Sequence, residues 1–296
     1  MKSLLEANKS DLALVAGNGI NRFAAPPGTN SWEILLTKLA RKHIDPLHAG
    51  IPKGVSPTEF YDVLDLAAKI ATGERSLQAQ FCDLMKSWTS LPQHGMVANW
   101  ARRQSIPILT TNFEDTLSSP VSAKRCRCGN DKFTAFYPWN TCFSTEVVAN
   151  PLASFAIWHI NGLQSYRQSI RLGLSHYMGS VERARGWLHK SGTRLFGAED
   201  IGTWPGSNTW LQVFFHKPLL FFGLGLGENE VFLRWLLIER ARYFKKFPSR
   251  AKEGWYVYVQ KERAHDPGKS LFLSGVGIEP YPVSTHQDIY SKDTWA

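Results

Sequence analysis

The sequence predicts an α/β fold, a Rossmann-like parallel sheet flanked by helices with a helical insertion layer, and three observations lead there. Short apolar runs end in Gly, Asn or Thr and are followed by longer patterned segments, the pattern of strands alternating with helices. A chain of 296 residues that is 43% hydrophobic and 20% charged can bury a full core. No internal repeat, low-complexity tract or Pro/Gly/Ser linker is long enough to divide it, so residues 1–296 read as one domain.

Leu12 to Ala16 is the first strand candidate, followed by Gly17-Asn18-Gly19. A helix is expected from about Ser31 to Lys42, with Asn30 as its cap and Glu33 three residues on, as in a capping box. Amphipathic stretches at about 58–72, 76–88 and 93–103 suggest a helical insertion over about 45–103. Ile106 to Thr111 reads as the second strand and Phe155 to Ile160 as the third. A further insertion is expected at about 163–210. It holds an amphipathic stretch from Ser175 to His189 and a glycine-bearing segment, Gly192 to Ser207, that suits a mobile loop. Leu219 to Phe222 and Trp255 to Val259 are the fourth and fifth strands. Glu228 to Phe244 is apolar almost all round, which predicts a buried core helix.

The apolar run in the first twenty residues is too short for a signal-peptide core or a membrane span, so neither export nor a membrane is expected. Four cysteines over this length make no disulfide framework, which fits a reducing cytoplasm. The net charge of +9 raises a nucleic-acid reading, but the excess is diffuse. Its densest stretch, Arg240 to Lys252, looks like the solvated end of a helix, so nucleic acid is not read as a direct ligand.

A strand, Gly17-Asn18-Gly19 and then a helix is an arrangement that can hold a pyrophosphate on unpaired amides. A tight turn needs the same glycines, and the third Gly of the dinucleotide fingerprint is missing, Arg22 and Phe23 standing near its place. Arg22 could pair with a phosphate or simply lead a helix. His159 falls at a strand end, where open parallel sheets place ligands. Asn112, also after a strand, suits either a ligand contact or a cap. Arg171 and His176 follow His159 closely enough to line a cleft, while Ser175 reads as a helix cap and Tyr177 as core.

Gly17-Asn18-Gly19-Ile20-Asn21, Thr110-Thr111-Asn112-Phe113, His159-Ile160-Asn161-Gly162 and Phe222-Gly223-Leu224-Gly225-Leu226-Gly227 occur in that order, and together they resemble the sirtuin-like family, and within it the bacterial branch of NAD-hydrolysing defence proteins. Gly17-Asn18-Gly19-Ile20-Asn21 resembles the family's Gly-Ala-Gly-Ile-Ser loop, and Thr110-Thr111-Asn112-Phe113 its Thr-Gln-Asn-Ile or Thr-Thr-Asn-Tyr motif. His159-Ile160-Asn161-Gly162 resembles the catalytic His-Gly, with two residues between His and Gly. Phe222-Gly223-Leu224-Gly225-Leu226-Gly227 with Glu228 resembles the late glycine segment that contacts the adenosine half of NAD. An acidic residue two places after the motif Asn is usual in the family; Glu114 holds that place here and Asp115 follows.

The resemblance implies an NAD+ glycohydrolase that cleaves NAD to nicotinamide and ADP-ribose as an antiviral effector, with NAD as substrate and no resident cofactor. It also implies homo-oligomers and a separately encoded defence partner, a HerA-type ATPase or a nucleotide-processing protein. Asn112, His159 and one of Glu114 and Asp115 would be catalytic. Gly17, Asn18, Gly19, Asn21, Arg22, Thr111, Gly223, Gly225 and Glu228 would bind the dinucleotide. Deacylating sirtuins carry two Cys-x-x-Cys pairs after the catalytic His, and nothing like that follows His159. Cys126, Cys128 and Cys142 precede it and offer three thiols at the wrong spacing for a closed tetrahedral zinc site, so no metal is expected. The alternatives are an NAD-dependent protein deacylase and a non-catalytic module that binds NAD, ADP-ribose or nucleic acid.

Overall fold

A computed structural model describes residues 1–26, 28–44, 50–70, 72–129, 137–228, 230–262 and 266–296. The apolar runs lie inside an eight-stranded mixed sheet. Its strands are β1 (Ala13–Ala16), β2 (Ile108–Thr110), β3 (Lys124–Arg127), β4 (Thr141–Ser144), β5 (Ile157–His159), β6 (Leu219–Phe222), β7 (Gly254–Val259) and β8 (Glu279–Val283). Their order is β3-β4-β5-β2-β1-β6-β7-β8. Only β4 runs against its neighbours; every other adjacent pair is parallel. The chain leaves β1 towards β2 and β5, then returns to the other side of β1 with β6, so the order reverses between β1 and β6. Open α/β sheets bind ligands beyond the strand ends at such a reversal.

All five expected strands form; the first three are trimmed at their ends, the fourth keeps its bounds and the fifth begins one residue earlier, at Gly254. The second begins at Ile108 because Pro107 has no N–H to give; its carbonyl accepts from the Leu14 N–H instead. The helices are α1 (Lys2–Asn8), α2 (Gly19–Arg22), α3 (Trp32–His43), α4 (Pro57–Ala67), α5 (Leu77–Leu84), α6 (Pro92–Arg103), α7 (Leu174–Arg185), α8 (Trp210–His216), α9 (Val231–Lys246), α10 (Pro267–Gly275) and α11 (Gln287–Tyr290). Strand residues alternate between two cores, one on each face of the sheet. Ala13, Val15, Leu109, Trp158, Leu219 and Phe221 join α7, α8 and α9. Leu14, Ala16, Ile108, Ile157, Leu220 and Phe222 join α6 and the C-terminal α11. A third core forms where α3, α4 and α5 close over Phe113, Ile170 and Leu172. Of the insertion expected over 45–103, α4 and α5 lie in this layer while α6 covers the sheet; residues 45–49 and 71 lie outside the described residues.

Several expectations are corrected. Ser31, not Asn30, precedes α3, and no side chain caps it. Asn30 adopts a left-handed φ of 53° and clasps the first loop, donating to the Asn21 carbonyl at 3.0 Å and accepting from Asn18 Nδ2 at 2.8 Å. Ser175 is not the cap of α7, which follows Gly173; its hydroxyl donates to Asp62 Oδ1 at 3.0 Å. Helix α9 is not buried all round, since Val231 and Ile238 are exposed. The basic stretch Arg240 to Lys252 is only in part a solvated helix end: Arg242, Lys245 and Lys246, in the last turns of α9, are exposed, but members of the stretch are tied down. Arg240 is 1% exposed, and its guanidinium donates to the carbonyls of Phe214, Lys217, Lys252 and Glu253 at 3.0–3.1 Å, tying α8, β6 and β7 to α9. Lys246 and Arg250 donate to the carbonyls of Phe196, Ala198 and Glu199. The segment Gly192 to Ser207 is therefore anchored, with Leu195 and Trp204 buried and Trp204 Nε1 donating to Gln212 at 2.6 Å. Among the described residues, no helix is long and apolar enough to cross a membrane.

Candidate functional site

Two glycine-bearing loops meet at the reversal between β1 and β6. The Gly19 N–H donates to the Gly223 carbonyl at 2.8 Å and the Gly17 N–H to the Phe222 carbonyl at 3.0 Å. A Cβ on Gly19 would lie 2.6 Å from Gly223 Cα, and one on Gly17 2.5 Å from Leu224, so only glycine permits this contact. The loops floor a cleft of about 290 Å3 lined by Asn18, Gly19, Arg22, Trp32, Thr111, Gly223, Leu224, Gly225, Glu230, Tyr256, Val257, Tyr258, Val259, His286, Ile289 and Tyr290. Six of the nine residues expected to bind a dinucleotide line it: Asn18, Gly19, Arg22, Thr111, Gly223 and Gly225. Gly17 lies beneath the floor. Glu228 is exposed and outside the lining, and the carboxylate that faces the cleft is Glu230, two residues on, whose burial raises its pKa. The helix that follows the first loop, α2, is a single turn.

Asn21 does not reach the cleft either; it is 1% exposed and organises the floor. Its amide nitrogen donates to Asn18 Oδ1 at 2.9 Å and to Glu114 Oε1 at 2.7 Å, while its oxygen faces His94 Nε2 at 2.8 Å. The Leu91 N–H donates to His94 Nδ1, so the ring proton sits on Nε2 and is given to Asn21. Burial holds His94 neutral, pushing its pKa down to about 4. Gln93 clamps α2 by donating to the carbonyls of Ile20 and Phe23. Glu114 belongs to this buried network, with Thr116 as a second partner, and desolvation raises its pKa. Asp115 is exposed and turns the other way.

It turns towards a second cavity, of about 400 Å3, lined by Cys82, Lys86, Trp88, Phe113, Asp115, Phe143, His159, Leu163, Gln164, Ser165 and Arg167. Strand β5 carries His159 to its carboxyl end, beside the loop after β2. His159 Nδ1 lies 2.7 Å from the Asn112 backbone oxygen, a pure acceptor, so the proton sits on Nδ1 and the lone pair on Nε2. Nε2 finds no hydrogen-bond partner among the described residues, and neither does Asn112 Oδ1. Burial pushes the His159 pKa down to about 4, against smaller upward pulls from Asn112 and Asp115. Asn112, 1% exposed, lines neither cavity; its amide lies 3.4 Å from the Gly17 carbonyl.

Among the described residues, cleft and cavity share no lining residue. Trp32 lines the first and Phe113 the second, and their rings stack at 4.4 Å with planes 16° apart. The stacked pair thus joins the lining of the cleft to that of the cavity. Arg171 and His176, expected near the cleft, line neither. Arg171 lies over the Tyr137 ring and donates to Ser180, and His176 Nδ1 faces the Leu172 and Gly173 N–H groups. Cys126 and Cys142 pair across β3 and β4 with sulfurs 3.5 Å apart and Cys128 is buried; among the described residues no three His, Cys, Asp or Glu could hold a metal.

Sequence reasoning missed Trp32, Glu230, Tyr256, His286 and Tyr290 in the cleft and Lys86, Trp88, Phe143 and Arg167 in the cavity. His286 and Tyr290 follow β8, whose two prolines hid the strand that leads to them. No model of a known protein family matches the chain, and no curated protein does.

Proposed function

We propose that this chain is an NAD+ glycohydrolase that releases nicotinamide and ADP-ribose. One observation carries the reading: a nucleotide-sized cleft at the sheet's reversal is joined, through the Thr111–Phe113 loop, to a buried His159 whose Nε2 is fixed as a free base. The cleft offers Arg22 to a pyrophosphate, the backbone of Gly19, Gly223 and Gly225 for close approach, and the Glu230 carboxylate to ribose hydroxyls.

Cleavage breaks the bond between the ribose carbon and the nicotinamide nitrogen. The electron pair stays on that nitrogen, turning the pyridinium into neutral nicotinamide and leaving oxocarbenium character on the sugar. Water closes on the same carbon while His159 Nε2 takes its proton. Asn112 Oδ1 would orient the water or a ribose hydroxyl, and Asp115, the carboxylate on the His159 side, would steady the positive charge. The antiviral role, and assembly as a homo-oligomer with a HerA-type ATPase or a nucleotide-processing partner, follow from the motif resemblance.

The purified protein, alone and with the product of its neighbouring gene, should release nicotinamide from NAD. His159→Ala and Asn112→Ala should each lower the rate by at least a hundredfold with circular dichroism unchanged. Inert wild-type protein under both conditions, or full activity in either variant, would refute the proposal. The Trp32–Phe113 stack favours a second reading, a non-catalytic nucleotide-binding module, because cleft and base have no lining residue in common among the described residues. ADP-ribose binding without any turnover of NAD would select it.

A further inference from the structure

We propose that the His159 cavity is a binding site for a small aromatic organic anion, separate from the nucleotide cleft. Its walls and its rim differ in chemistry. Trp88, Phe113 and Phe143 supply flat apolar surface, and Phe143 meets the His159 ring edge-on at 5.5 Å, an environment that suits a planar ring. At the rim stand Lys86 and Arg167. An ammonium and a guanidinium together select a carboxylate or phosphate.

These two cations are held in position before any ligand arrives. Asp83 binds Lys86 at 2.8 Å and Arg167 at 3.0 Å, and also binds Arg75 at 2.5 Å. Three cations therefore share one carboxylate, and positive charge remains after Asp83 is counted. Arg125 adds to it, its guanidinium 4.7 Å from the centre of the Tyr166 ring, next to the lining residues Ser165 and Arg167. Among the described residues, the single lining carboxylate is Asp115, which is exposed. Ordering by Asp83 lowers the entropy that binding must remove from two long side chains. Deeper in, His159 is 1% exposed with Nε2 unpartnered among the described residues, ready to accept a hydrogen bond from a hydroxyl or N–H on the bound molecule. The cavity volume of about 400 Å3 falls within the usual range for small-molecule sites.

The site does not depend on NAD cleavage, and its test contains no NAD. Nicotinate and nicotinamide share ring and size; nicotinate carries the charge that the rim selects, whereas only the amide has N–H groups to give His159 Nε2, so titrating each into the protein in a calorimeter sets the rim's contribution against that hydrogen bond. Nicotinate should bind at least tenfold more tightly. Lys86→Gln, on a side chain 62% exposed and so without consequence for folding, should weaken nicotinate at least threefold. The double variant Lys86→Gln/Arg167→Gln should erase the preference. Arg22→Gln, in the other cleft, should leave nicotinate affinity unchanged. Equal affinities, no nicotinate binding, an unaffected double variant or a loss confined to Arg22→Gln would each overturn the proposal.

Discussion

His159 lies at the end of a buried strand, and one hydrogen bond decides what it can do. Because Nδ1–H is spent on the Asn112 carbonyl, Nε2 is the free lone pair, and burial moves the pKa to about 4 from a free value of about 6.5. A base works only when unprotonated, so the acid limb of nicotinamide release should fall near pH 4 and the rate should stay flat from pH 7 to 5. A limb at about pH 6.5 would show that the reacting base is exposed or is not His159. The same shift works against the fold. A histidine whose folded pKa is depressed withdraws stability as pH falls through its unfolded pKa towards its folded one, and His94 and His216 share the shift. Raised Glu114 and Glu230 pull the other way, so circular dichroism must accompany the rate profile. The choice between Glu114 and Asp115 was not legible in the sequence: adjacent residues after a strand face opposite ways, and only the position of Asn21 shows which one is tied down. Glu228 was misplaced for a similar reason, since the chain turns after Gly227 and presents Glu230 instead.

Most interior strands were readable and the edge strands were not; β4, interior and nearly all buried, escaped because Thr-Cys-Phe-Ser is no apolar run. Strands β1, β2, β5, β6 and β7 are nearly all buried, so their apolar runs announce them. The edge strand β3 is Lys-Arg-Cys-Arg and largely exposed, and the edge strand β8 carries Pro280 and Pro282; both are devices that discourage pairing with another chain, and both erase the strand signal. Arg240 shows the same limit, because a guanidinium buried against carbonyls reads in sequence like any helical arginine. Its replacement in Arg240→Met should cost more than about 3 kcal/mol in urea unfolding, since several buried carbonyls lose their donor; a loss below about 1 kcal/mol would mean that water replaces it. The first residue of α3, Trp32, touches both linings of the proposed site, lining the cleft and stacking on Phe113, which lines the His159 cavity. With Trp32 as a barrier between the two, its removal in Trp32→Ala should raise the basal rate of nicotinamide release by tenfold or more. An unchanged or lowered rate would make Trp32 part of the substrate's own surface instead.

At the scale of the whole molecule, the sheet's two halves meet at one contact, and the proposed dinucleotide would bridge it. From the side of β1 come Asn18, Gly19 and Arg22; from the side of β6 to β8 come Gly223, Gly225, Glu230, Tyr256, His286 and Tyr290. Alternate residues of β1 and β6 enter opposite cores, so loosening their junction disturbs both faces. A ligand that spans the junction should therefore stabilise the whole fold by mass action. ADP-ribose, which carries the pyrophosphate and both riboses without the scissile bond, should add about 2.7 kcal/mol at a hundred times its dissociation constant, or roughly 5 °C in Tm for a chain of this size. Scanning calorimetry should show one transition that moves as a unit. In Gly19→Ala the new methyl would meet Gly223 Cα at 2.6 Å and part the two loops, lowering the Tm and removing the ADP-ribose shift. If wild-type protein gains nothing from ADP-ribose, the cleft is not a nucleotide site; if the shift survives Gly19→Ala, the ligand binds without the loop contact on which the site is built.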